Sequence, residues 1–449
     1  MIFMSSKIKK RELLDLIAQA GVIGAGGGGF PTSTKLSADN ISHFIANGAE
    51  CEPLLQKDIE LMLHHPKEIA SAMAIIGETL QIKNLYFSAK RKYTGIWQKI
   101  EPHLKSSGIQ QIFLDDIFPA GDEFEIVRQT LGKTIPPANI PLAFNAIVNN
   151  VETIFNIFNS LKGKPVTEKW LTITGEVKHP FTASVPIGTP AKDLLDFAEP
   201  KLDTFALIEG GPMMGALVSI DEPVKKTTSG FIVLPEEHPI IRYRKMPMNH
   251  VLRIAASACM QCQACTDLCP RYLLGHPLEP HKIMRASAMP LSLPVNSMTA
   301  ALLCSECGVC ELFACPMGLS PRRINRELKE KFANKGIKYR CECENFDVRE
   351  ERDFRRIPST KLIERLQIVD YHNVYPDFVA DIPQIRRVVL PLKQHAGAPA
   401  IPIVKIGENV KAGQLIAKIP EGKLGANLHA SIDGKIVAIA PDIIIRNSK

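Results

Sequence analysis

Eight of the eleven cysteines crowd into two short blocks, "CMQCQACTDLCP" at residues 259–270 and "CSECGVCELFACP" at residues 304–316. No other feature constrains the fold as much, because so dense a thiol array must close around something that binds it. The opening stretch "MIFMSSKIKKRELLDLIAQAG" lacks the apolar core of a secretory signal. A reducing, cytoplasmic setting is therefore expected, and with it metal ligation rather than disulfides. Structural zinc takes two separated pairs of ligands, since a tetrahedral site closes on two knuckles. Here three cysteines recur at steps of three, Cys259, Cys262 and Cys265, and Cys269 follows with Pro270 behind it.

That spacing is the bacterial ferredoxin run, in which three thiolates hold corners of one [4Fe–4S] cube and the fourth reaches the other cube. The second block, Cys304, Cys307, Cys310 and Cys315, has one extra residue before its last cysteine. By the same crossing, Cys259, Cys262, Cys265 and Cys315 hold one cluster. Cys304, Cys307, Cys310 and Cys269 hold the other. The 34 residues between the blocks contain helix-like stretches such as "EPHKIMRASAM", so an α-helical ferredoxin unit is expected. Cys51, Cys341 and Cys343 read as plain core or surface thiols.

The remaining bounds are those of an ordinary globular chain. Its 449 residues suggest about three domains. Basic residues are scattered or mixed with acids, as in "REERDFRR", and the net charge is only +7, so a nucleic-acid partner is not expected. No run of about 18 apolar residues is present, so no membrane span is expected either.

A second chemical motif lies near the start: "GVIGAGGGGFPTSTK", residues 21–35. Gly24, Gly26 and Gly29 satisfy GxGxxG, but a dinucleotide fingerprint needs a strand before the glycines. Instead "KRELLDLIAQA" places Leu13, Leu14 and Ile17 at helical spacing. The loop, with Gly27 and Gly28, is read as bare backbone N–H groups approaching a phosphate or a flat ring, with Lys35 adding charge.

Three further stretches extend this reading: "NGAECEP" from residue 47, "FPAGDE" from residue 118 and "NNVETI" from residue 149. In this order the motifs resemble the FMN- and NADH-binding subunit of respiratory complex I. They resemble RnfC, the corresponding subunit of the Rnf complex, more closely still. The resemblance spans roughly residues 10–160 and implies a Rossmann-like FMN- and NADH-binding domain over residues 1–160. It implies that the glycine loop with Lys35, and Asn47, Glu50, Asn149, Asn150 and Thr153, cradle FMN. Gly121 counts among the cofactor-binding positions, and Phe30, Glu52 and Glu123 would line a nicotinamide-nucleotide pocket. Ala25 and Ala49 depart from the complex I pattern, which has an arginine and an acid there, and bear on NADH rather than flavin. Leu13, Leu14 and Ile17 would then pack as the domain's first helix, with docking on a shell protein as the alternative.

The rest of the chain divides by pattern. Residues 165–240, with "WLTITGEVKHPFTASVPIG" and "LIEGGPMMGALVS", resemble the SLBB β-grasp module. Met213 and Met214 read as core fillers. Residues 245–335 carry the two clusters, and residues 336–390 are charged and Pro-interrupted, read as a linker with some helix. Residues 391–445 resemble the barrel-sandwich hybrid of biotinyl, lipoyl and RnfC proteins. Lys423 stands about where a carrier lysine would, but its flanks lack the usual acidic or methionine neighbours. The fold expected is thus a multidomain α/β chain.

This domain order looks like the PduS-type cobalamin reductases of propanediol-utilisation microcompartments. The resemblance implies that NADH feeds FMN and that two [4Fe–4S] clusters relay electrons to cobalamin, supporting a B12-dependent diol dehydratase. It implies a cytoplasmic location inside a bacterial microcompartment, with a shell protein as a possible partner. No D-x-H-x-x-G corrinoid-binding run is present. Two other readings exist: an RnfC-like subunit of a membrane complex reducing quinone or ferredoxin-like carriers, and a non-catalytic shell-docking or ligand-sensing protein. If the crossing is right, anaerobically purified protein should hold about eight irons. Cys269→Ala should then perturb the cluster of Cys304, Cys307 and Cys310. Spectra that lose only the cluster of Cys259, Cys262 and Cys265 would defeat the assignment.

Overall fold

In the computed structural model the described residues are 8–289, 293–341 and 346–447, so Cys343 lies outside them. The helix Lys10–Gln19 buries Leu13 and Ile17 completely, one turn apart, with Leu14 packed at the edge of the same core. The apolar stripe is therefore spent inside the domain and is not offered to a partner.

Four parallel strands follow, in the spatial order Gln110–Leu114, Asn84–Lys90, His43–Gly48, Ala146–Asn150. Their runs are apolar on both faces, as helix-covered parallel strands require: Phe44, Ile45, Phe87, Ala89, Ile147 and Val148 are all buried. From His43–Gly48 the chain passes to one side of the sheet, and it returns last to the other side as Ala146–Asn150. Such a switch of direction opens a crevice at the carboxyl ends of the two strands, where α/β sheets bind ligands.

A second, six-stranded sheet begins with the antiparallel hairpin Glu168–Gly175 and Phe181–Pro186. The helix Ala191–Ala198 then covers one face, burying Leu194, Leu195 and Ala198 with Leu171, Ile173 and Phe231. Gly230–Leu234 returns beside the first strand and parallel to it, with Ala206–Glu209 and Ala216–Val218 outside.

The cysteine-bearing part is helical. Met248–Ala258, Pro280–Ala288 and Pro321–Asn334 pack through Val251, Ala255, Met284 and Ile324. The extra residue of the second block is absorbed in a π-helical turn, Val309–Ala314. A π-turn accommodates one residue more than an α-turn over the same path.

The stretch expected as a linker packs instead. Ile357–Pro358 pairs with Ile117–Phe118, and Asp377–Phe378 adds an edge strand to the second sheet. Between them, helix Ser359–Leu366 buries Leu362, Ile363 and Leu366 against Phe118, Ile240 and Ile241. Those three form one helical stripe, masked in the sequence by the charges around them. Buried Arg352 pairs with buried Glu125, tying the segment to the first domain.

The C-terminal strands form two small sheets. One holds Arg387–Pro391, Asp442–Arg446, Gly434–Ala438 and Asn409–Val410; the other holds Ile401–Pro402, Leu415–Lys418 and Leu428–His429. The module starts a few residues before the expected 391, and Lys423 is exposed at one of its turns.

Lys226 sits where three of these parts meet. Its Nζ donates to the carbonyl of Gly21 at 2.7 Å and of Asn427 at 2.8 Å. Burial pushes this amine down to about 7. Below that pH both folded and unfolded chains carry the proton, and the burial penalty is fully felt. Above it the folded amine releases its proton while the unfolded one keeps it, so stability from this group rises from about pH 7 to about pH 10. Urea denaturation across that range should show the rise in the native protein and a flatter profile in Lys226→Met. An unchanged slope in the variant would assign it to other groups.

Candidate functional site

The crevice holds a cavity of about 390 Å³, within the range of roughly 300–1,000 Å³ usual for small-molecule sites. Gly24, Gly26 and Gly28 form one wall with Phe30 and Lys35. Two hydrogen bonds between its ends close the loop: Gly24 N to Phe30 O at 2.9 Å and Gly29 N to Gly24 O at 3.1 Å. Gly27 has φ +103°, open to glycine alone at little strain. Gly27 and Gly29 do not reach the cavity wall; Gly29 packs against Thr227 and the backbone of His395 in the C-terminal part.

Asn47, Glu50 and Glu52 follow from the end of His43–Gly48, and all three line the cavity. Asn47 Nδ2 donates to the Gly121 carbonyl at 3.0 Å, pinning a turn whose glycine lies close against Cys51. Glu50 is half-buried, and its Oε2 accepts from Asp58 N at 2.8 Å. Burial, reinforced by Asp58, pushes its carboxyl up to about 7. The Glu52 carboxylate accepts from the amides of Met213 at 3.0 Å and Met214 at 2.8 Å. Met213 is fully buried, but Met214 is half exposed and lines the cavity. Expected as a core filler, Met214 is a wall residue because the loop before it turns toward Glu52.

Lys35 and Glu123 were expected on different ligands, and they meet. Lys35 Nζ donates to Glu123 Oε1 at 2.9 Å and to the Val148 carbonyl at 2.6 Å. Asn150 caps the helix Val151–Leu161, accepting from Glu152 N at 2.9 Å, while its Nδ2 donates to Asp58 at 2.7 Å. Asn149 differs: its buried Nδ2 has no partner and belongs to the cavity wall. An orphaned donor there fits a ligand with acceptor atoms, since leaving it unmet costs about 1–3 kcal/mol.

Beneath the wall lies a charge network that the sequence reading missed. Glu152 is buried and accepts from Lys57 at 3.0 Å, from Lys169 and from Trp170 N at 3.0 Å. Lys169 also donates to the Ala25 carbonyl at 3.0 Å, and Ala25 N donates to Thr153 Oγ1 at 2.9 Å, so the network holds the glycine loop directly. Burial lowers the Lys169 amine to about 8 despite Glu152. A signal existed: Lys169 falls on the same strand face as Leu171 and Ile173, and a charge among such neighbours needs a partner.

The cysteines gather in two groups of four. Cys269, Cys304, Cys307 and Cys310 line one small cavity, and Cys259, Cys262, Cys265 and Cys315 line another. Among the described residues no cysteine, histidine or acid group converges on a single ion. Burial, followed by neighbouring thiols, pushes Cys265 up to about 12; burial does the same for Cys307. Thiolates here therefore need the positive charge that iron supplies. Cys307 and Ser305 also line the crevice cavity, so the two sites share a wall. Cys51 lines it too, with its thiol held protonated by burial, and Cys341 is exposed.

A parallel α/β crevice beside paired four-cysteine cavities defines a flavin and iron–sulfur electron-transfer protein, and comparison with known proteins agrees. Residues 17–159 match the Nuo51 FMN-binding domain, residues 258–320 a 4Fe-4S dicluster domain, and residues 375–449 the RnfC barrel sandwich hybrid domain. FMN and a pair of [4Fe–4S] clusters are thus the cofactors of the domains this chain carries. The chain is 39% identical over 436 residues to the cobalamin reductase PduS of Salmonella typhimurium, covering 96% of each chain. It is 40% identical to the PduS of Citrobacter freundii, over 97% of this chain and 96% of that one. The chain belongs to the PduS family. A more distant relative belongs to the proton-translocating ferredoxin:NAD(+) oxidoreductase complex of Clostridium ljungdahlii, and is 30% identical over 60% of this chain and 57% of that one. An NAD+-reducing [NiFe]-hydrogenase structure shares the fold, with TM-score 0.51 and 19% identity over 73% of this chain and 62% of that one. No helix among the described residues is long and apolar enough to cross a membrane.

Removing one partner of a buried ion pair strands the others, at about 3–5 kcal/mol. Glu152→Gln should therefore lose about that much stability in urea and release the glycine loop. Adding Lys169→Met should recover part of the loss; a double variant no better than the single one would mean that Glu152 acts otherwise.

Proposed function

We propose that the protein is an NADH-dependent cobalamin reductase, with FMN in the crevice and two [4Fe–4S] clusters between it and the corrinoid. The observation that carries this is the shared wall: Cys307 lines the same cavity as the glycine loop. When bound, FMN supplies hydride uptake and release of electrons one at a time, and the clusters supply single-electron transfer. The loop amides and Asn149 Nδ2 would hold the flavin, Lys35 would neutralise its phosphate, and Thr153 would keep the loop in place through Ala25. Glu50, Asn47 and Asn150 shape the pocket, since their side chains already bond Asp58, Gly121 and the helix start. Phe30, exposed at the rim, and Glu52 and Glu123 would meet the nicotinamide nucleotide.

The six-stranded sheet is read as an SLBB β-grasp: a hairpin, a covering helix and a last strand returning parallel to the first. Membership of the PduS family supports a microcompartment location, a role beside a B12-dependent diol dehydratase and a shell-protein partner.

Two variants separate entry from exit. Lys35→Ala removes a charge-assisted contact contributing about 1.5–3 kcal/mol, so FMN should bind about ten- to a hundredfold more weakly with the clusters intact. In Cys307→Ala, NADH should still bleach the flavin while corrinoid reduction slows. Full-rate cobalamin reduction by Cys307→Ala would sink the relay.

A further inference from the structure

The two cysteine cavities are not alike. The one formed by Cys269, Cys304, Cys307 and Cys310 is also lined by Arg322 and Asn325, three residues apart on the helix Pro321–Asn334. Both are buried. Asn325 is fully enclosed, lines this cavity with Cys304, and neither atom of its amide meets a hydrogen-bond partner in the protein. An orphaned amide at such a place fits the sulfur atoms of a bound cluster. Arg322 is held from two sides, pairing with Glu311 Oε1 at 2.6 Å and donating to the Met213 carbonyl at 2.8 Å. Met213 in turn gives its amide to Glu52 on the crevice wall. The other cavity is lined by no arginine, lysine or carboxylate: around its cysteines stand Met260, Met284, Met317, two glutamines and His281, which bonds Thr266.

A reduced cluster carries one more negative charge than an oxidised one. A buried cation stabilises that extra charge strongly, because little water screens it. Donors to the sulfurs act in the same direction, and both belong to the levers that set cluster potentials. Building on the electron-transfer reading above, we propose that Arg322 and Asn325 raise the reduction potential of the cluster held by Cys269, Cys304, Cys307 and Cys310. They tune that cluster alone, and so make the one bordering the crevice the electron acceptor for the flavin. Glu311 offsets part of the Arg322 charge, and the Met213 carbonyl fixes the guanidinium against the crevice wall.

The test is an anaerobic potentiometric titration of the holoprotein followed by EPR, with iron content measured on every variant. Arg322→Gln should make one-electron reduction of this cluster at least tenfold less favourable, a drop of about 59 mV or more. Asn325→Leu should shift it the same way by less. Glu311→Gln should shift it the opposite way, and Arg322→Lys should stay close to the native value. The second cluster should not move in any of them. If Arg322→Gln does not accumulate, the opposed shifts of Glu311→Gln and Asn325→Leu decide the matter. Unchanged potentials, or equal shifts in both clusters, would overturn the proposal. Native protein with about four irons and a single cluster signal would overturn the two-cluster reading itself, a result the titration distinguishes.

Discussion

The carboxylate of Glu152 joins three parts of the fold that share no strand pairing. It stands at the start of a helix, takes a hydrogen bond from the backbone of the second sheet at Trp170, and faces the ammonium groups of Lys57 and Lys169. Through Lys169 it reaches the glycine loop at Ala25. A glycine-rich loop loses much conformational entropy when it is ordered, so it keeps one shape only where something outside it fixes the backbone. The fixing atoms here are buried charges, whose geometry is costly to disturb because no water replaces a missing partner.

A second chain of contacts runs from the same crevice toward the cysteines. Glu52 binds the amides of Met213 and Met214, Arg322 binds the carbonyl of Met213, and Arg322 borders the cavity of four thiols. The second sheet is therefore more than a spacer. Its loop at residues 210–215 is a joint between the nucleotide side and the cluster side, with Arg244 holding the carbonyls of Pro212 and Gly215 from behind. An added Cβ at Gly211 would strike the Glu52 carboxylate at 2.1 Å, so this joint depends on a bare backbone.

What the sequence displayed was periodic or densely spaced. Cysteine steps announced two clusters, and helical spacing announced Leu13 and Ile17. Thirteen of the fifteen expected cofactor positions reach one cavity because motifs at strand ends converge wherever a parallel sheet reverses its order. What it hid depended on contacts between distant segments. Nothing near Lys57 or Lys169 announces that both meet Glu152, separated from them by 95 and 17 positions. Leu362, Ile363 and Leu366 looked like linker residues because arginines and acids surround them, and only the groove beside Phe118 and Ile240 makes them core. Asn325 carried no signal at all; its meaning comes from facing four thiols with no other partner.

The cluster part also bears on how this chain folds. Its apolar clusters are small, and the cysteines themselves are members: Cys315 packs with Val251 and Ile324, Cys269 with Leu278 and Ile283. Each cavity draws its fourth thiol from the other block, so neither closes until both blocks are in place. The π-turn Val309–Ala314 belongs to the same logic. Absorbing the extra residue brings Cys310 to its own cavity and Cys315 to the other, which an unbroken α-helix over those six residues would not do together. The spacing that makes the second block irregular in sequence is what makes the crossing possible in space.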